Sequence, residues 1–228
     1  MKVLPLVIGV GVLLIAGSAA ANDGGYPTGP PSRAGHAELL GVVDNMGAPR
    51  EWGTFFAAVA YWESKFNNLA ENTSTGEAAA AKRAYDRAID KGRLDGSPWP
   101  ASAYTFGSGG WYGMIPANGM KAFHGTDLEL LDPRAAVHDP VTSTIMAIEY
   151  ARRIFGWAAF DGTWLSLRVG FANPSKMGDP DFVAKVRGRF AESLRAIGAP
   201  ESFMHERVVS LSGYPGAEAL FYEMKGEA

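Results

Sequence analysis

Between Arg50 and Phe66 the apolar residues Trp52, Phe55, Phe56, Val59, Trp62 and Phe66 return at helical spacing. From His36 onward, no stretch alternates apolar and polar residues for long enough to demand a sheet. This period commits a chain to helices that bury their stripes against one another. Further helices are predicted over 36–45, over 77–91 (alanine-rich, ended by Gly92), after Pro116, from Pro140 to Gly156, and over 180–197, 201–209 and 216–225. Asp139 before Pro140 reads as an N-cap, as does Asp179 or Asp181, because a carboxylate accepts first-turn amides and proline suits the first helical position. No internal repeat is visible. The expected class is mainly α, a helical domain over residues 36–228. Two long Gly- and aromatic-rich loops interrupt it, 96–114 (Trp99, Tyr104, Phe106, Trp111, Tyr112) and 170–180, and such segments in helical domains tend to bind ligands.

The N-terminus points out of the cytoplasm. Lys2 precedes an uncharged apolar run, Val3 to Ala16, and then Gly17-Ser18-Ala19-Ala20-Ala21. This is the layout of a secretory signal, with cleavage expected after Ala21. The competing expectation is a retained membrane tether through residues 3–21, since about 20 apolar residues span a bilayer. Either way the remainder is exported, to the periplasm or beyond it. Residues 22–35, rich in Gly and Pro, read as a flexible linker.

Composition narrows the chemistry. The 228 residues are 47% hydrophobic and 20% charged, which suits a packed globular domain. There is no cysteine, so disulfides, thiolate catalysis and Cys-ligated zinc are excluded. His36, His124, His138 and His205 are scattered without metal-ligand spacing, and neither metal nor cofactor is expected. The formal charge of −3, with no block of like charge, argues against nucleic acid as a partner and gives no long-range pull toward acidic polymers.

One residue breaks the apolar stripe. On a 3.6-residue period Glu63 shares a face with Phe56, Val59 and Phe66, bordered by Trp62. Desolvation there favours the protonated carboxyl, and the exposed carbonyls of a last helical turn push the same way. A protonated carboxyl near neutral pH is what general-acid catalysis requires. The structural alternative is a Glu at a helix end paired with Lys65 or an arginine, and spacing alone does not choose between them.

Four segments, in order, resemble one family. Glu63-Ser64-Lys65-Phe66-Asn67 resembles the Glu-Ser-x-Phe-Asn-Pro segment of the soluble lytic transglycosylases and goose-type lysozymes. Asn72-Thr73-Ser74-Thr75-Gly76-Glu77-Ala78 is similar to their Ser-x-x-Gly-Ala loop. Gly110-Trp111-Tyr112-Gly113-Met114-Ile115-Pro116-Ala117-Asn118 is similar to Gly-Leu-Met-Gln-Ile-Met-Pro-Ala-Thr. Asp139-Pro140, opening a helix that ends in Tyr150-Ala151-Arg152-Arg153, resembles the family's Asp-Pro helix. The resemblance covers about residues 50–175. This chain differs in having Gly113 at the family's glutamine, Phe171-Ala172-Asn173-Pro174 at its Tyr-Asn-Ala-Gly, and about thirty extra residues over 79–109.

The resemblance implies a lysozyme-like helical fold, peptidoglycan glycan strands as partner, and Glu63 as catalytic acid. Glu63 would cleave the bond from N-acetylmuramic acid to N-acetylglucosamine. No motif makes Glu77, Asp86 or Asp139 a nucleophile, which favours a lytic transglycosylase over a lysozyme. Ser74, Trp111, Tyr112, Met114 and Asn173 are the expected substrate-binding residues, with Phe171 a further aromatic candidate. Aromatic faces pack on pyranose rings, although the same aromatic residues could equally cap the helical core. The second expectation is a non-catalytic wall-binding, virion or envelope protein that uses such a domain without its activity.

Overall fold

The aromatic stripe becomes the central helix of a mainly helical protein. The computed structural model describes residues 30–94 and 106–226; the apolar segment 3–21, Trp99 and Tyr104 lie outside the described residues. In chain order come α1 (Arg33–Asn45), α2 (Arg50–Ser64), β1 (Glu71–Asn72), α3 (Thr75–Asp90), β2 (Ser108–Gly109), α4 (Pro116–Met120), α5 (Pro133–His138), α6 (Pro140–Ile154), α7 (Trp164–Ala172), α8 (Pro180–Ala196) and α9 (Ala217–Lys225). Short 3₁₀ turns fill Lys121–Phe123, Asp127–Leu130, Pro174–Lys176 and Glu201–His205. Among the described residues no helix is long and apolar enough to cross a membrane.

α2 is buried around most of its circumference, with Trp52, Phe55, Phe56 and every residue from Ala57 to Ala60 in the core. A helix apolar on most sides belongs at the centre of its fold, and α1 and α8 both pack on this one. Trp52 meets Phe56 at 5.6 Å and Trp164 at 5.1 Å between ring centroids. Its indole N–H reaches the Val209 carbonyl at 3.0 Å, so the C-terminal segment closes over the same cluster.

Two helices escape sequence reasoning. α7, Trp-Leu-Ser-Leu-Arg-Val-Gly-Phe-Ala, is buried at every position from Trp164 to Phe171. With no solvent face it carries no amphipathic period. α5 has six residues, too few to show one. The predicted linker is also too long by three residues. Ser32 caps α1 by accepting from Gly35 N at 3.0 Å, and Arg33–Gly35 are helical. Gly35 reads as a breaker in sequence, but here its missing side chain lets α1 lie against the Phe66 backbone carbonyl.

Asp139 caps α6 as expected. Its Oδ1 accepts from the Thr142 amide (2.8 Å) and hydroxyl (2.6 Å), and Lys225 of α9 lies 3.0 Å away. Burial pushes this carboxyl up, but the Thr142 and Lys225 hydrogen bonds outweigh it and hold it below the usual carboxylate value. The folded value then lies below the unfolded one of about 3.9. The contribution is therefore present above that pH and is lost as pH falls toward the folded value. Asp139→Ala is expected to cost about 1 kcal/mol at neutral pH. The loss should shrink on acidification to about pH 3, and urea unfolding at the two pH values measures both.

Candidate functional site

The site is built around the C-terminal end of α2. The helix stops because Lys65 and Phe66 both adopt left-handed backbone, φ 51° and 62°. Two consecutive non-glycine residues there store strain of about 1–3 kcal/mol each, tolerated only where surroundings over-determine the turn. They do so here. Phe66 stacks on His36 at 4.4 Å, and its carbonyl accepts from the Trp111 indole at 3.3 Å. The Lys65 carbonyl accepts from Ser32 N at 2.9 Å. The buried Ser64 hydroxyl lies between the carbonyls of Ala60 (3.0 Å) and Trp111 (2.9 Å).

The strained turn sends the chain back into β1. There Glu71 lies opposite Gly109 and Asn72 opposite Ser108 in an antiparallel ribbon. Gly110 N donates to the Ala70 carbonyl at 3.0 Å, and Asn68 Nδ2 to the His138 carbonyl at 3.1 Å. The Tyr112 hydroxyl lies 2.9 Å from Thr144 Oγ1 on α6. Residues from all four family-like segments or their flanks thus meet at this end of α2.

Glu63 occupies the middle of this arrangement. Its side chain keeps 21% of its surface exposed, and Arg168 of α7 donates to Oε1 at 2.6 Å. The Arg168 side chain is 3% exposed. Its Nη1 is buried with no partner among the described residues. Gly113, at φ 56°, lies over the other oxygen: a Cβ there would stand 3.1 Å from Oε2 and 3.2 Å from the Glu63 Cβ. Of the two arrangements the sequence left open for Glu63, pairing with an arginine is the one found. Glu63 is the part-exposed half of an ion pair whose arginine is buried, because α7 carries that arginine into the core at this point.

Gly113 stands where the resembled family has glutamine, and the backbone explains why a side chain is unwelcome. Gly113→Ala is expected to cost about 1–2 kcal/mol from left-handed strain and to press on Glu63. Gly113→Gln should be no better. Thermal unfolding measures the loss.

Three expected substrate residues are corrected by burial. Trp111, Tyr112 and Met114 sit in the core beneath the turn. The Trp111 N–H and Tyr112 hydroxyl are occupied within the protein, and burial pushes the Tyr112 phenol far above its usual value. Turn glycines at 110 and 113, both at positive φ, let the chain reverse so that these aromatic side chains point inward. Phe171 is likewise buried, against Phe55 and Tyr150. Asn173 spends its side-chain oxygen capping the next turn, accepting from Ser175 N and Oγ at 3.1 and 2.8 Å. Ser74 is exposed just before α3, where its amide donates to Asn72 Oδ1.

Comparison with protein families, with curated proteins and with solved structures finds no match to this chain.

Two residues of the site went unremarked in sequence. Arg168 had a signal, the single charge in a run of nine whose other residues, Ser166 apart, are apolar. Glu71 had none. It pairs with Arg134 through both oxygens (2.7 and 2.8 Å), with His138 Nε2 3.4 Å away. Burial lowers the His138 imidazole, Glu71 opposes that, and Arg134 adds to it; the net effect favours the neutral ring. The other carboxylates weighed as nucleophiles are engaged elsewhere. Asp86 pairs with Lys82 on the exposed side of α3, and Asp139 caps α6. The Glu77 side chain lies outside the described residues.

Proposed function

We propose that this protein is an exported peptidoglycan-cleaving enzyme with a lysozyme-like domain and Glu63 as its single general acid and base. The observation that carries this reading is the placement of Glu63. It is a part-exposed carboxylate at the end of the core helix, beside a doubly left-handed turn, with Oε2 facing a glycine at which a Cβ would stand only 3.1 Å away. Backbone strain of this kind collects at functional sites. The family-like segments that flank it add the substrate class.

In the proposed reaction Glu63 donates a proton to the oxygen joining N-acetylmuramic acid to N-acetylglucosamine, and that C–O bond breaks. The ionised Glu63 then takes a proton from the muramic 6-hydroxyl as that oxygen closes on the anomeric carbon, giving a 1,6-anhydro sugar. Water in place of the hydroxyl gives hydrolysis. Two-carboxylate glycosidases hold a nucleophile or base at fixed separation from the acid. Glu71, Asp86 and Asp139 are each engaged by cations or amides, which favours the one-carboxyl route. Before the first half-step Glu63 leaves its charge pair with Arg168 and takes a proton from solvent, the proton it then donates.

That pair also favours a second reading, a non-catalytic wall-binding or envelope protein in which Arg168 locks Glu63 as a structural ion pair. Mass spectrometry of material released from purified sacculi separates the two. The enzyme releases soluble muropeptides, anhydro-terminated for a transglycosylase. Binding to sacculi with no soluble release sinks the catalytic reading.

A further inference from the structure

The formal charge of −3 conceals a concentrated positive patch elsewhere on the protein. Arg87, at the end of α3, and Lys91, one turn on, precede Arg93 in the following turn, and α3 packs along α4. Lys121 follows α4 directly, and Arg153 is near the end of α6. Asn118 ties two of these cations together. Its side-chain oxygen accepts from Lys121 Nζ at 3.0 Å, and its backbone carbonyl accepts from Arg153 Nη1 at 3.3 Å. Lys121 and Arg153 are half-buried, while Arg87, Lys91 and Arg93 are exposed.

Among the described residues the charges that bear on Lys121 are all positive: Arg153, Arg93, Arg87 and Lys91. Burial first, and then these four, push its ammonium down to about 8. Glu149 is the carboxylate that bears on Arg153, and it is already paired with Arg152. Like charges gathered round a half-buried ammonium are unfavourable until an anion joins them.

We infer that the cluster of Arg87, Lys91, Arg93, Lys121 and Arg153, pinned by Asn118, is a binding site for a phosphate group. Guanidinium groups bind phosphate oxygens in pairs, and lysine adds a compact point charge. Lys121, Arg153 and Arg93 come from three different parts of the chain, and a tetrahedral dianion offers oxygens in as many directions. A planar carboxylate saturates one guanidinium and leaves the others unmatched. The phosphate belongs either to a soluble phosphoester or to a lipid headgroup. This site involves no residue of the Glu63 arrangement and does not rest on the glycosidic reading.

The test titrates inorganic phosphate into the full chain at constant ionic strength, with acetate and chloride as controls. Binding is followed by NMR of the lysine ammonium groups and by unfolding temperature. Phosphate should bind saturably and raise the Lys121 titration, whereas acetate and chloride should not. Lys121→Gln should weaken binding at least about tenfold, the loss of one charge-assisted hydrogen bond, and Lys121→Arg should retain it. Arg93→Gln changes an exposed residue, so it reports on the site even if Lys121→Gln folds poorly; it too should weaken binding. Equal responses to all three anions, or unchanged phosphate affinity in Arg93→Gln and in folded Lys121→Gln, overturn the proposal. Vesicles of phosphatidylcholine with and without phosphatidylglycerol then assign the source. Parent and variants share residues 3–16, so a difference between them on the anionic vesicles marks a headgroup. Equal sedimentation, with phosphate binding still lost in the variants, marks a soluble phosphoester.

Discussion

Glu63→Gln is expected to lower release of soluble muropeptides by at least about a hundredfold, the scale of a lost general acid. The same change should destabilise the protein, because Arg168 is left in the core without a counter-charge. Removing one partner of a buried pair costs about 3–5 kcal/mol, toward the lower end here because Glu63 is partly open to water. Lost activity in the single variant would thus be ambiguous between chemistry and unfolding. The double variant Glu63→Gln/Arg168→Met resolves it by removing the orphaned charge along with the acid. It should recover most of the lost stability in urea unfolding while remaining inactive on sacculi. Activity that returns with stability shows that Glu63 is structural and that the catalytic assignment is wrong. Arg168→Met alone should retain measurable turnover if Arg168 only positions the carboxylate.

Trp52→Ala is the substitution expected to damage the fold most. The residue is fully buried, meets Phe55, Phe56, Phe155 and Trp164, and donates to the Val209 carbonyl. Truncating a core tryptophan costs about 3–5 kcal/mol. For a chain of this size that corresponds to a fall of roughly 6–20 °C in unfolding temperature. Scanning calorimetry measures it. A loss below about 1 kcal/mol would mean that α2 is not the core helix. Because the Val209 carbonyl loses its donor, protection of the C-terminal segment in hydrogen exchange should fall with it.

The helical class, the core face of α2, the Asp139 cap and the position of Glu63 at a helix end were all legible as sequence. Each depends on spacing or on a cap within a few residues, which is the range over which local chemistry acts. The fate of the aromatic loop was not legible. Trp111 and Tyr112 look alike whether they face a sugar or a core, and only the left-handed turns at Gly110 and Gly113 direct them inward. The positive patch was not legible for a related reason. Arg87, Lys121 and Arg153 are separated by about thirty residues each way, so no run of like charge marks the patch that α3, α4 and α6 assemble.

The sequence by itself determined that this chain is mainly helical, that an aromatic helix lies at its centre, and that one carboxylate ends that helix. The tertiary structure alone decided what surrounds the carboxylate. Arg168 lies 105 positions away and reaches Glu63 only because a helix without a polar face must be buried and carries its one cation in with it. A buried cation requires a counter-charge, and in the folded protein Glu63 supplies it.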